Sequence, residues 1–303
     1  MSTTATKQAR RFLDALGTHI LLLAIVCLFA FPTFWVFMTS FKTPREYYAM
    51  PPAFLPAQFQ IFHYKEAFAP WTVDPTEMAT NYWVEESAGR VESVTPQIVN
   101  SLIITFGSVI LSMAVGAPAA YSVSRFRFRG SKDLSFWVLS TRMMPPIVTA
   151  IPIYWVMRSV GLSGTHIGLI MVYVMINLPF VVWMMKGFFD DIPVEIEEAA
   201  RIDGCGALAL FWRVILPLAI GGIVATALFC VFLSWNEFLF AVILTDTKSQ
   251  TLPVALSLFR QDRGVLWGQM SAVIVVATLP ILVITLFLQQ HVVRGLTAGA
   301  VKS

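Results

Sequence analysis

The sequence predicts an all-α integral membrane protein with six transmembrane helices, and three observations carry that expectation. Of its 303 residues, 57% are hydrophobic and 13% charged, whereas soluble domains carry roughly a quarter charged residues, and the mean hydropathy is +0.71. Six apolar runs are each long enough to cross a ~30 Å hydrocarbon core at ~1.5 Å per residue. The short links between them differ in basic content, which is the feature that sets the side of the membrane a loop occupies.

Taken in order, residues 1–39 hold a short polar start with Lys7, Arg10 and Arg11 against Asp14, then a first span from about Leu16 to Met38. That run is too long for a signal peptide, and its end, FPTFWVFMTS, is aromatic where a cleavage site needs small residues. Residues 40–97 form the longest polar stretch, in which Lys42, Arg45, Lys65 and Arg90 are outnumbered by seven acids. An external location follows for this segment. Residues 98–290 hold the remaining spans. Span two, about Ile98 to Val123, is followed by Arg125, Arg127, Arg129 and Lys132 with only Asp133 opposed, the clearest cytoplasmic marker in the chain. Span three, about Leu134 to Val160, contains Pro145, Pro146 and Pro152; span four, about Ile167 to Phe189, contains Asn177 and Pro179. Span five runs from Val214 to about Leu244 and span six from about Met270 to Gln290. Residues 291–303 then form a tail, so both termini are expected in the cytoplasm.

The segment 190–217 is the one long stretch of the second half that mixes acids, bases and small residues between apolar runs. Such a sequence cannot lie in lipid and must project into water. Pro193 sits where a first helical turn tolerates proline, Glu195, Glu197 and Glu198 follow where carboxylates complement the helix dipole, and Gly204 supplies a stop. Ile196, Ala199 and Ala200 recur at helical spacing and give a short helix with a small, weakly apolar face. That face suits either an ordinary solvated loop helix or docking into a groove of another protein.

Resemblance separates the two. The order Glu198-Ala199-Ala200, three residues, Gly204, nine residues, Val214-Ile215-Leu216-Pro217 resembles the EAA loop of membrane subunits of binding-protein-dependent ABC importers, with Val at a position where that pattern has Ile. Three further stretches resemble the carbohydrate importers, in particular the maltose-system G subunit family: Ser234-Trp235-Asn236-Glu237-Phe238, Thr141-Arg142-Met143-Met144-Pro145-Pro146, and the ending Gly295-Leu296-Thr297-Ala298-Gly299-Ala300-Val301-Lys302. The resemblance implies a type I ABC importer fold, a five-helix core with one helix in front, in a bacterial inner membrane. It implies that Glu198, Ala199, Ala200, Asp203 and Gly204 couple to an ATPase subunit, and that Gly295, Leu296, Thr297, Gly299 and Lys302 insert at the ATPase dimer interface. The implied partners are a second permease subunit, two ATPase subunits and an external solute-binding protein. The implied solute is a sugar, glycoside or polyol. The departure is Pro70 to Thr95, an insertion between spans one and two that either is a tolerated surface loop or presents Trp71, Tyr82 and Trp83 to an external partner.

Charged groups at membrane depth need reasons. Arg142 falls roughly 12 Å into span three by helical rise; it either lines the translocation path or pairs with a neighbouring helix. Glu237 falls ~34 Å along span five by the same rise, where a gate, an interfacial anchor or a solute contact all fit. Asn177 and Asn236 complete the path candidates, though an Asn in a membrane helix also bonds across to other helices.

Composition excludes several classes. No Gly-rich phosphate loop, metal cluster or nucleophile with its base is present, so no catalytic residue is assigned, no cofactor is expected on this chain, and ATP and Mg are expected on the partner ATPase subunits. The histidines, His19, His63, His166 and His291, are scattered, and Cys27, Cys205 and Cys230 read as packing residues. The net charge of +3 gives no support to nucleic-acid binding. The alternative function is a secondary transporter, which would need a repeat or an intramembrane acid, with Glu237 as its candidate.

Overall fold

A computed structural model of the chain describes residues 2–73, 93–126, 130–261 and 264–298. The helices follow as α1 (Ser2–Thr39), α2 (Pro44–Tyr47), α3 (Phe62–Phe68), α4 (Thr95–Arg125), α5 (Ser131–Ser140), α6 (Pro146–Ser159), α7 (His166–Asp190), α8 (Val194–Ile202), α9 (Ala207–Leu218), α10 (Ile220–Trp235), α11 (Leu239–Leu244), α12 (Leu252–Ser257) and α13 (Trp267–Ala298). Between α12 and α13 a two-residue ladder, β1 (Arg260–Gln261) with β2 (Gly264–Val265), is the only strand pairing among the described residues.

Among the described residues, four stretches are long and apolar enough to cross a membrane unbroken: Ala15–Thr39, Thr95–Arg125, His166–Asp190 and Trp267–Gln289. The expected third and fifth spans are bent pairs instead, so the total reaches six when each pair counts as one span. In span three, Phe136–Met143 and Pro146–Ser159 meet at 98°. The cause is Pro145-Pro146: each proline disfavours helical geometry in the residue before it, and with two in succession Met144 and Pro145 are extended, with ψ of 126° and 127°. In span five, Ala207–Leu218 and Ile220–Trp235 meet at 77°. Pro217 has no N–H for the preceding turn, Phe211–Ile215 widens to π geometry, and the helix restarts after Ala219. This span therefore begins at Ala207, not Val214, and it breaks again at Asn236–Phe238 before α11.

The chain divides into two units. One comprises residues 1–93 and 259–276. Within it the apolar side chains of α1 are open along most of the span, as befits contact with lipid. At the end of α1, Lys42 is fully buried; its Nζ donates to the Ala53 carbonyl at 2.6 Å and lies 4.1 Å from the centre of the Trp35 ring. Glu46 accepts from the backbone N–H groups of Thr43 (2.7 Å) and Ala57 (2.6 Å), closing the loop that follows α2. His63 on α3 is buried, with Nε2 2.9 Å from the Lys42 carbonyl. Gly268 opens α13 against that ring; a Cβ there would fall 2.1 Å from His63 Nε2, so only glycine fits.

The second unit comprises residues 94–258 and 277–303. Here α4 and α7 pack along each other, and α10 lies against both. Close approach is bought with small residues, as in membrane bundles generally: a Cβ at Gly116 would fall 2.6 Å from Val181, and one at Gly222 2.3 Å from Phe188. Two apolar clusters result. One gathers Ala120, Tyr121, Met185 and Phe189 with Phe211 and Ile215 of α9, and Ala200 of α8 packs against it; the other gathers Ile104, Ala150, Tyr173 and Phe240. At the far end of α4, the Asn100 amide donates at 2.9 Å to the carbonyls of both Lys248 and Gln250 and its oxygen meets His166 at 2.7 Å, tying down the link after α11.

Candidate coupling helix and translocation cavity

Helix α8 opens after Pro193 and closes on Gly204, which has φ of +86°. The Cys205 N–H bonds back to the Ala200 carbonyl at 3.0 Å and the Gly204 N–H to that of Arg201 at 3.0 Å, the closure that a left-handed glycine permits. The helix has two unlike sides. Glu198, Ala199, Ile202, Asp203 and Gly204 are exposed, Ile202 to 86%. Ala200, expected beside Ala199 on one docking face, is half-buried and packs against the cluster beneath.

Glu197 faces the same way as Ala200 and is 1% exposed. Its carboxylate accepts from the Tyr121 hydroxyl at 2.9 Å, from Arg125 Nε, and from Arg201 Nη2 at 3.5 Å. The Arg125 guanidinium also donates through Nη2 to the carbonyls of Phe189 (2.8 Å), in the last turn of α7, and Ile192 (2.7 Å), in the link that follows it. Tyr121 in turn lies 5.6 Å from the Phe189 ring and 5.3 Å from that of Phe211. One buried ion pair thus binds α8 to the ends of α4 and α7. The sequence assigns Arg125 only to loop charge and Glu197 only to the helix dipole; Glu197 shares a face with Ala200, three residues on, but with Ala200 expected to face a partner that spacing carries no sign of burial.

A cavity of about 730 Å³ opens between α4, the α5–α6 bend, α7 and α11. Its lining is mostly apolar, with Trp137, Met175 and Phe240, and its polar contributions include Thr141, Arg142, Thr149 and Glu237. Arg142 sits at the end of the first leg of span three, just before the bend, with its guanidinium 5.2 Å from the centre of the Phe180 ring. Among the described residues it makes no ion pair. Glu237 sits in the break between α10 and α11, so its expected depth, reckoned along an unbroken helix, does not hold. Its carboxylate accepts from the N–H groups of Phe240 (3.0 Å) and Ala241 (3.1 Å) and caps α11. The other two path candidates lie elsewhere. Asn177 is buried and donates to Ser234 at 2.8 Å across to α10, and exposed Asn236 bonds its own helix at the Phe232 carbonyl, 2.9 Å away.

Gly295, Leu296 and Thr297 continue the backbone of α13, while Gly299 and Lys302 lie outside the described residues. Trp71 of the insertion is 77% exposed; Tyr82 and Trp83 lie outside the described residues.

Bent apolar spans around a cavity, with a short polar helix held between two of them, define a membrane-spanning transport subunit. The profile of the family described as the binding-protein-dependent transport system inner membrane component matches residues 108–298, and the chain belongs to that family. It is the permease subunit of an ABC importer, of the type I fold, which sets aside the secondary transporter. It is 33% identical over 273 residues to the diacetylchitobiose uptake system permease protein DasC of Streptomyces coelicolor, covering 90% of this chain and 91% of that one. It is 31% identical over 298 residues to the trehalose/maltose transport system permease protein MalG of Thermococcus litoralis, covering 97% of each. Its fold is similar to a chain of a bacterial ABC transporter involved in import of the acidic polysaccharide alginate, with a TM-score of 0.72 at 20% identity over 92% of this chain and 96% of that one.

Proposed function

We propose that this permease carries a sugar, glycoside or polyol across a bacterial inner membrane, with both of its termini cytoplasmic. It does so together with a second permease, two ATPase subunits and an external solute-binding protein. The observation that carries the proposal is the two-sidedness of α8. Its inner side is anchored by Glu197, and its outer side presents Glu198, Ala199, Ile202, Asp203 and Gly204, which are exposed among the described residues. An apolar centre of Ala199 and Ile202 with carboxylates around it suits a groove with a basic rim on an ATPase subunit. The ending from Gly295 to Lys302 adds a second contact with the ATPase dimer.

The carbohydrate reading is supported by the named substrates of DasC and MalG. Hydroxyl-rich solutes also suit the cavity, where Thr141, Thr149 and Arg142 offer hydrogen-bonding groups among apolar and aromatic walls. The exposed large apolar side chains of the α5–α6 bend, Phe136, Trp137, Met143, Ile147, Ile151 and Trp155, offer a face to the second permease. The test of the solute is a titration of the cognate solute-binding protein with mono- and disaccharides and polyols, followed by uptake of the tightest ligand into proteoliposomes holding the whole complex. Tight binding confined to amino acids or ions would overturn the carbohydrate reading.

A further inference from the structure

We infer that the Arg125–Glu197 pair is the joint through which displacement of α8 reaches the membrane helices α4 and α7, an inference that rests on the coupling role proposed above for α8. Only short backbone links join α8 to its neighbours. On one side it joins α7 through Asp191, Ile192 and Pro193, and on the other it joins α9 through Gly204, Cys205 and Gly206, where the positive φ of Gly204 marks a sharp turn. Force on the outer face of a nine-residue helix hung between two such links would be absorbed by pivoting at the links. A side-chain connection is needed to prevent that.

Glu197 supplies it. Its carboxylate is sealed from solvent and meets the guanidinium of Arg125, the final residue of α4 and 72 positions earlier in the chain. The same guanidinium holds the Phe189 and Ile192 carbonyls, so three elements converge on one rigid planar group. A planar fork fixes direction as well as distance, which a lysine ammonium on a flexible stem does not. Tyr121, one turn before Arg125 on α4, donates to the second carboxylate oxygen and blocks rotation about the ion pair. Moving α8 therefore drags the ends of α4 and α7, and Ala119 and Val123 of α4 and Met175 and Val182 of α7 line the cavity. The joint links the outer face of α8 to the cavity wall. Arg125 and Glu197 act as positioning residues, since neither lines the cavity.

The test uses the full complex with its ATPase subunits and solute-binding protein, with Cys27, Cys205 and Cys230 replaced by alanine and a single cysteine placed as Met175→Cys in the cavity wall. The probe is Mg-ATP with vanadate, and the readout is the rate at which a water-soluble maleimide labels that cysteine before and after trapping. In the parent complex, trapping should change the rate by roughly tenfold, a coupling free energy in the usual range. In Arg125→Lys and in Glu197→Gln, nucleotide should still be trapped while the labelling rate stays put; the control Arg158→Lys, an exposed position outside both α8 and the cavity lining, should behave as the parent. A parent-like response in both variants would overturn the inference. Failure of both to accumulate would make the pair a folding element only and would overturn it equally; if only Glu197→Gln fails, Arg125→Lys decides. A parent complex that traps nucleotide with no change in labelling would instead overturn the coupling role of α8 itself, and that result is read before any variant.

Discussion

Three carboxylates stand in four positions of α8, and only the middle one is buried. Glu195 and Glu198 remain in solvent, whereas Glu197 is matched by two guanidinium groups and a phenol. Hydrogen bonds to a charged group contribute about 2 kcal/mol, so Tyr121→Phe should lower the thermal midpoint of the detergent-purified protein while leaving it folded. Removing the charge partner outright is harsher, because an unpaired buried charge costs roughly 3–5 kcal/mol; Arg125→Ala should accumulate poorly. His63 gives a pH signature. Burial pushes its imidazole from the ordinary value of 6.5 down to about 4, against the raising effect of the Lys42 carbonyl. Between those two values the unfolded chain binds a proton that the folded unit refuses, so stability is full above pH 6.5 and falls as pH drops toward 4, by up to about 3 kcal/mol. A His63→Gln variant should lose that slope in thermal melts between pH 7.5 and 4.5; an unchanged slope would show that other groups cause it. None of this was legible from the sequence, where four separated histidines and a run of acids carry no sign of which one is enclosed. Burial is decided by partners such as Lys42, Gly268 and Tyr121 that are distant in the chain.

At the level of elements, the prolines of the spans act differently. Pro118, Pro152, Pro179 and Pro280 all remain inside helices, because one missing backbone bond is tolerable when the neighbouring turns hold. The bends occur where two prolines adjoin, at Pro145-Pro146, and where Pro217 is followed by the weak helix formers Gly221 and Gly222. The break at Asn236–Phe238 had no such marker; it is stabilised by the Glu237 side chain turning onto the next helix. The existence and order of the apolar spans were legible, since they follow from run length alone, and so was the stop at Gly204. The expected depth of Glu237 does not hold because helical rise does not carry across the bend at Ala219, whereas the rise to Arg142 runs along the first leg of span three, before its bend; the cavity is lined by Arg142. Its place in the cavity sets an expectation: Arg142→Ala should reduce uptake by the reconstituted complex with normal yield and assembly. Loss of assembly would instead assign it to pairing between helices. Glu237→Gln keeps an acceptor for α11 but drops the charge, and a loss of thermal stability on the order of 1 kcal/mol is expected without loss of insertion.

For the molecule as a whole, orientation and coupling are linked, because the coupling role proposed for α8 requires α8 and its partner Arg125 to face the cytoplasm. A reporter fused after Lys132 should be active in the cytoplasm and one at Glu86 outside; the reverse at either site would overturn this topology. The candidate docking residues separate into those that test a partner and those that do not. Ala200 packs inward, and Gly204 sits at a positive φ that any side chain strains, so substitutions there disturb the permease itself. Ala199 and Ile202 face out, and acids placed there leave the fold intact while confronting a partner with an unpaired charge. The most direct measurement is therefore co-purification of the ATPase subunits together with solute-stimulated ATP hydrolysis in proteoliposomes, for Ala199→Asp and Ile202→Asp beside the parent. The expected result is a permease that inserts at normal yield, with ATPase subunits lost or stimulation abolished in both variants. Normal co-purification and normal stimulation in both would contradict the coupling role of α8.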